Sequence, residues 1–199
     1  NADENEDDPA ASGARAFAVI IGVMALTLLA GLGFSFILTT PIIPQFALTF
    51  GAVFFGVAAT MPLGAFLYWF MRSNAPSIVK FRDSQIEFFS QIGFEFTPSR
   101  IALMAIGAGV TEELLFRGVF QTWLAGFLPA ALAIILPNIV FGLLHARTAL
   151  YAAIAGLVGC YLGLIFWASG NLVVPVVAHA LYDVVALELT RRSIAARHL

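Results

Sequence analysis

Six stretches of this chain are apolar over close to the length a membrane-spanning helix needs, and this limits its folds more than any other feature. The hydrocarbon core of a bilayer is about 30 Å thick and takes about 20 helical residues to cross. The stretches cover roughly 16–38, 45–71, 99–127, 130–145, 150–167 and 172–189. Composition agrees: 60% of the 199 residues are hydrophobic and 11% are charged, whereas a soluble domain has about a quarter charged. The expected fold is all-α, a polytopic membrane bundle of about six transmembrane helices. Pro137 should kink the fourth span, and Pro175 falls in the first turn of the sixth, where proline is tolerated.

The basic residues test that count. Nine of the ten Lys and Arg (Arg15, Arg72, Lys80, Arg82, Arg100, Arg147, Arg191, Arg192 and Arg197) fall on one side when six spans alternate across the bilayer. The connections on the other side, 39–44, 128–129 and 168–171, contain none. This is the positive-inside pattern, so both termini are expected on the cytoplasmic side. The expected location is the cell membrane. The net charge of −2 does not identify a partner, because the charges are segregated. No basic patch interleaved with aromatics is present, so nucleic acid is not an expected partner. Cys160 is the only cysteine, which excludes an intrachain disulfide and a cysteine-based metal site; helix packing is its expected role.

The chain divides into four regions. Residues 1–14 are acidic and then small, and read as a disordered tail rather than a signal peptide, which would begin basic. The Asn1 start suggests a processed or trimmed terminus. Residues 15–98 hold two spans and a segment, SNAPSIVKFRDSQIEFFSQIGFEFTPSR, in which Ile78, Phe81, Phe88, Phe89 and Ile92 recur near helical spacing. That segment reads as an amphipathic helix lying in the cytoplasmic interface, either as a loop helix or as a lip over a substrate site. Residues 99–190 hold four spans, and 191–199 form a basic tail. Thr97 or Ser99 can cap the third span, with Pro98 at its start. Gly107 and Gly109 form a small-residue pair suited to a close helix approach.

The tenth basic residue, Arg117, lies inside the third span, in TEELLFRG at 111–118. A charge at mid-membrane costs roughly 2.5 kcal/mol or more on insertion scales, so such groups face inward and pair. Those within the spans are Glu112, Glu113, Arg117, His145, His179 and Asp183, with Glu188 near a cytoplasmic end. Glu113 and Arg117 are i and i+4, the spacing of a helical ion pair, and so are His179 and Asp183. Glu112 points about 100° away from Glu113 and has no obvious local partner. At 1.5 Å per residue, Glu112 lies about 18 Å from Arg100, and His179 about 18 Å from Arg191, so the two share a depth. His145 is shallower, beside Arg147, and reaches a common site only if its helix tilts.

Two carboxylates and two histidines at one depth suit hydrolysis. A carboxylate in an apolar pocket can act as general base toward water. A histidine can share the proton, and a second, beside an Asp, can donate to a developing oxyanion. Arg117 would hold Glu113. Glu112, His145 and His179 would equally suit a divalent metal such as zinc, although the spacing lacks the H-E-x-x-H signature. Each pair also has a plainer reading, as a buried ion pair or a packing hydrogen bond.

These motifs resemble the CPBP family, also called the Abi or CAAX-protease-like family of intramembrane endopeptidases. Its pattern is EExxxR, FxxxH and HxxxN or a close variant. The counterparts here are EELLFR at 112–117, FGLLH at 141–145 and HALYD at 179–183, in order and each on its own span. The resemblance covers roughly 99–190. It implies peptide-bond hydrolysis in or near the bilayer, on prenylated proteins or on peptides. It also implies that Glu112 activates water with help from His145, that Glu113 and Arg117 support it, and that His179 and Asp183 form the oxyanion site. The family has been described both as metal-dependent and as glutamate-type. Asp183 departs from the usual Asn: an Asn amide can donate a hydrogen bond, an ionised Asp cannot. Asp183 is then protonated, orients His179 or helps bind a metal. Two other functions fit the same residues. One is a non-proteolytic immunity or assembly factor within a membrane protein complex. The other is a proton-coupled transporter, against which the absence of a detectable repeat weighs.

Overall fold

The computed structural model describes residues 9–91 and 94–197. It is the all-α polytopic bundle expected, with no strand among the described residues. Seven helices follow one another: α1 (Pro9–Ile37), α2 (Phe50–Arg72), α3 (Pro76–Gln91), α4, α5 (Ala130–Leu144), α6 (Ala149–Ser169) and α7 (Val173–Arg197). Helix α4 is composite. An α-helical part, Pro98–Glu113, runs into a π-helical part, Leu114–Gln121, and a last turn, Thr122–Ala125. Helix α1 begins at Pro9, upstream of the expected span start, while residues 1–8 of the acidic tail and Ile92 of the amphipathic segment lie outside the described residues.

Local chemistry sets the helix ends. The Thr49, Thr97 and Thr148 hydroxyls each accept a hydrogen bond from a backbone N–H in the first turn of α2, α4 and α6, satisfying a donor that would otherwise be orphaned. For α4 the cap is Thr97, and Pro98 follows it where its missing N–H costs nothing. Helix α6 ends at Gly170 in the left-handed region, φ 61°, a conformation that favours glycine.

Four helices are long and apolar enough to cross a bilayer, over Ser12–Ile37, Phe50–Arg72, Ala149–Ser169 and Val173–Ala196. Their outer faces carry exposed large side chains such as Leu26, Leu29, Phe54, Met61 and Leu157, as expected where lipid replaces water. The other two expected spans are α4, interrupted by charge, and α5, whose 15 residues extend only about 22 Å. These two carry the first two sequence motifs.

Helix α7 packs against α2 and α4, α5 packs against α6, and α1 against α4. Close approach depends on small residues, since little hydrophobic force acts between helices in lipid. A Cβ on Gly109 would meet the Val176 carbonyl of α7 at 3.1 Å, so this glycine brings α7 against the turn that holds Glu112 and Glu113. A Cβ on Gly142 would meet the Ala152 carbonyl of α6 at 2.5 Å and Gly156 Cα at 3.2 Å. In the π segment, two backbone carbonyls take side-chain donors. The Gln45 amide donates to Gly118 O at 3.0 Å, and the Thr122 hydroxyl to Arg117 O at 3.0 Å. The wide turn thus leaves neither of these oxygens unpaired.

Gly142→Val should lower stability by about 1–3 kcal/mol, since backbone cannot yield as a flexible side chain can. Gly64→Ala, where an added Cβ meets nothing within 4 Å, should be neutral or stabilising by up to about 1 kcal/mol. Unfolding of the purified protein in mixed micelles would measure both, and equal effects would contradict the packing described.

Candidate active site

The turn Thr111–Gly118 is nearly sealed. Glu113 and Arg117 are both 0% exposed, and a buried ion pair persists only when its remaining hydrogen-bonding groups are also served. Arg117 Nη1 donates to Glu113 Oε1 at 3.0 Å. Arg117 Nη2 donates to Asn138 Oδ1 on α5 at 2.9 Å and to the Gly159 carbonyl on α6 at 2.7 Å. The guanidinium also faces the Phe141 ring, 5.3 Å from its centroid. One cation therefore joins three helices.

The same Glu113 oxygen binds His179 Nδ1 of α7 at 2.8 Å. With Nδ1 donating to that carboxylate, the other ring nitrogen is turned toward two further carboxylates. Nε2 lies 3.5 Å from Asp183 Oδ2 and 3.9 Å from Glu112 Oε2. Glu112, Glu113, Arg117, His179 and Asp183 are thus brought together, and the two i,i+4 pairs expected from spacing both form.

His145 is placed differently. It caps the C-terminal end of α5, and its Nδ1 lies 2.8 Å from the Phe141 carbonyl. A carbonyl only accepts, so Nδ1 donates, and in the neutral ring Nε2 keeps its lone pair. The His145 ring stacks on Phe141, with centroids 4.4 Å apart, and Phe141 meets the His179 ring at 6.5 Å. Phe141 therefore stands between the two histidines. No hydrogen bond or ion pair joins His145 to Glu112, Glu113 or Asp183 among the described residues.

Glu112 and Asp183 open onto a chamber of about 470 Å³. Met24, Phe66, Phe70 and Met104 supply apolar wall, and the Tyr151 and Tyr182 side chains stand near the acids. The amphipathic helix α3 closes one side with Phe81, Ile86 and Phe89. It is tied at both flanks. Arg82 donates to the carbonyls of Phe70, at 3.0 Å, and Met71, at the end of α2. Arg147 donates to Gln85 Oε1 at 2.6 Å and lies 3.7 Å from the Phe88 ring centroid.

The candidate metal ligands Glu112, His145 and His179 are not gathered as a set: among the described residues no three His, Cys, Asp or Glu are grouped to hold an ion. The residues as placed do not fit a three-ligand metal centre, and no step below is routed through one.

Two polar residues escaped the sequence reading. Asn138 is 1% exposed and Gln121 3%; Gln121 donates to the Gly163 carbonyl at 2.8 Å. Helical spacing held the signal for both. Asn138 lies seven residues before His145, two turns along the same face, and Gln121 lies four beyond Arg117.

Such a fold, with carboxylates and a histidine converging beside an apolar chamber, defines a polytopic membrane protein with a polar site in its interior. Residues 95–185 match the family described as Type II CAAX prenyl endopeptidase Rce1-like. The match covers the helical core that contains all three motifs, and the family it names is one of CAAX-type endopeptidases. Helices α1 to α3 lie outside the match. No curated protein matches the chain, and neither does any solved structure.

Arg117→Leu should destabilise the protein by about 3–5 kcal/mol, because it leaves Glu113 charged and unpaired in the interior. Adding Glu113→Gln should recover part of that loss. Unfolding titrations of the single and double variants would check this, and simple additivity would mean the two side chains are not coupled.

Proposed function

We propose that this chain is an intramembrane endopeptidase in which Glu112 activates water against a peptide bond brought to the chamber by a membrane-associated or prenylated substrate. The observation that carries this reading is the position of Glu112. It makes no hydrogen bond among the described residues, lies on the chamber wall, and has an oxygen 3.9 Å from a histidine whose other nitrogen is fixed.

The chemistry follows from the donors and acceptors. Water in the chamber is held by the Glu112 carboxylate. Its oxygen attacks the scissile carbonyl carbon while Glu112 takes the proton. Negative charge develops on the carbonyl oxygen and is met by the Nε2–H of His179 in its doubly protonated form, with Nδ1–H held by Glu113. Charge stabilisation of this kind is commonly the largest catalytic contribution in a dry site. Collapse of the tetrahedral intermediate breaks the C–N bond. The leaving nitrogen takes the proton from Glu112, giving a carboxylic acid and an amine. Asp183 Oδ2, 3.5 Å from His179 Nε2, orients that ring. On this reading the donor is the histidine and the Asp183 carboxylate orients it, in place of the usual Asn. The apolar wall accommodates the lipid-like part of the substrate, and α3 forms the lip.

Glu112→Gln should lower kcat by about 10²–10⁴-fold, the usual contribution of a general base, with KM little changed. A quenched-fluorescence peptide, with and without a prenyl group, would report cleavage by protein reconstituted in liposomes. Full activity of the variant would sink the assignment. If the variant also worked fully in cells, the non-proteolytic partner would be the better reading. Because no three ligands are grouped, chelation should leave the rate unchanged; loss on chelation and recovery with zinc would move the reading to metal chemistry.

A further inference from the structure

We infer that Asn138, which belongs to none of the three motifs, is a positioning residue for the site: it sets the orientation of Arg117 and, through Glu113, that of His179. The inference rests on the reading that His179 serves the reaction.

The orientation of the Asn138 amide is defined at both ends. Nδ2 donates to the Ile134 carbonyl one turn back on α5 at 2.7 Å, so Oδ1 faces Arg117 and accepts from Nη2 at 2.9 Å. An amide oxygen only accepts and an amide nitrogen only donates, so reversing the amide would break both contacts. Arg117 Nε is buried without a hydrogen-bond partner among the described residues. The plane of the guanidinium therefore rests on Nη2, held by Asn138 Oδ1 and the Gly159 carbonyl, with Nη1 left to reach Glu113 Oε1. That oxygen also takes the Nδ1 proton of His179. The line Asn138–Arg117–Glu113–His179 crosses α5, α4 and α7 and ends at the nitrogen facing Glu112 and Asp183.

Gly159 shows how closely the node is built. A Cβ there would come 2.3 Å from Asn138 Oδ1 and 3.2 Å from Arg117 Nη2. The space beside the amide oxygen is reserved for the guanidinium. A buried amide in lipid without such a task would be an uncompensated cost.

The test compares wild type, Asn138→Leu, Asn138→Asp and Gly159→Ala in nanodiscs, with two readouts. The first is steady-state cleavage. Asn138→Leu should lower kcat by about 10- to 100-fold, the range of a buried hydrogen bond to a charged group, while leaving KM unchanged. Asn138→Asp keeps an oxygen acceptor for Nη2 and should recover much of the loss. The second readout needs no activity. In protein labelled with ¹⁵N-histidine, the His179 Nδ1 proton, shielded on Glu113, should exchange slowly. The chain has only three histidines, so its loss in His179→Gln assigns the signal. Asn138→Leu should lose that protected proton, and Asn138→Asp should keep it. A folded Asn138→Leu that retains both kcat and the protected proton overturns the inference. If Asn138→Leu does not fold, Gly159→Ala displaces the same amide and decides by the same two criteria. Loss of the protected proton in a protein whose wild type cleaves nothing would uphold the positioning role and remove the protease reading. Cleavage by wild type with no change in any variant would do the reverse.

Discussion

A positive charge buried at 0% exposure must be answered on every side, and in this protein the answers come from three helices. Arg117 of α4 takes a carboxylate from its own helix, an amide oxygen from α5 and a backbone carbonyl from α6. In lipid no solvent can substitute for a missing acceptor. The requirement to satisfy one guanidinium therefore fixes how α4, α5 and α6 meet. Glu113 carries the constraint to α7 through His179. The bundle and the site are thus held by the same contacts, and a change that loosens one disturbs the other.

The small residues follow from that constraint. Gly109 admits α7 to the acidic turn, Gly142 admits α6 to α5, and Gly159 leaves room for the amide and guanidinium together. Gly163 does the same beside Gln121, whose Oε1 would lie 2.7 Å from an added Cβ. These glycines are helix breakers by propensity, yet they occur within helices because the polar groups opposite occupy the volume of the missing methyls. The π turn Leu114–Gln121 belongs to the same arrangement: Gln45 and Thr122 take up two of its carbonyls.

Much of this was legible in the sequence because two of its codes are strong. Spanning length and the one-sided placement of nine basic residues pointed to a polytopic bundle, and i,i+4 spacing paired Glu113 with Arg117 and His179 with Asp183. The amphipathic pattern of α3 was equally readable. What escaped depended on contacts between helices. Asn138 looked like an isolated polar residue in PNIVFGLL until α4 and α6 were placed against it. The π turn has no spacing signature, since local carbonyl partners such as Gln45 are 73 residues away from Gly118. His145 carried a depth conflict already visible as its nearness to Arg147. The structure keeps it at the end of α5, separated from His179 by the Phe141 ring. A metal set containing His145 was chemically apt but required a convergence that α5 does not supply.

The two glutamates illustrate how one dipeptide divides two tasks. Adjacent residues on a helix point about 100° apart, so Glu113 faces the sealed junction of α4, α5 and α6 while Glu112 faces the chamber. Glu113 is committed to Arg117 and His179. Glu112 is free of hydrogen bonds among the described residues and is 22% exposed at its side chain. Asp183 meets the chamber from α7 at a similar exposure, 26%, with Oδ2 3.5 Å from the same His179 nitrogen. An ionised carboxylate there cannot donate to an oxyanion, yet it can favour the protonated, donating form of the histidine between them. On the proposed reading, an acid at residue 183 leaves the oxyanion donor to His179, provided Glu113 keeps the ring in place.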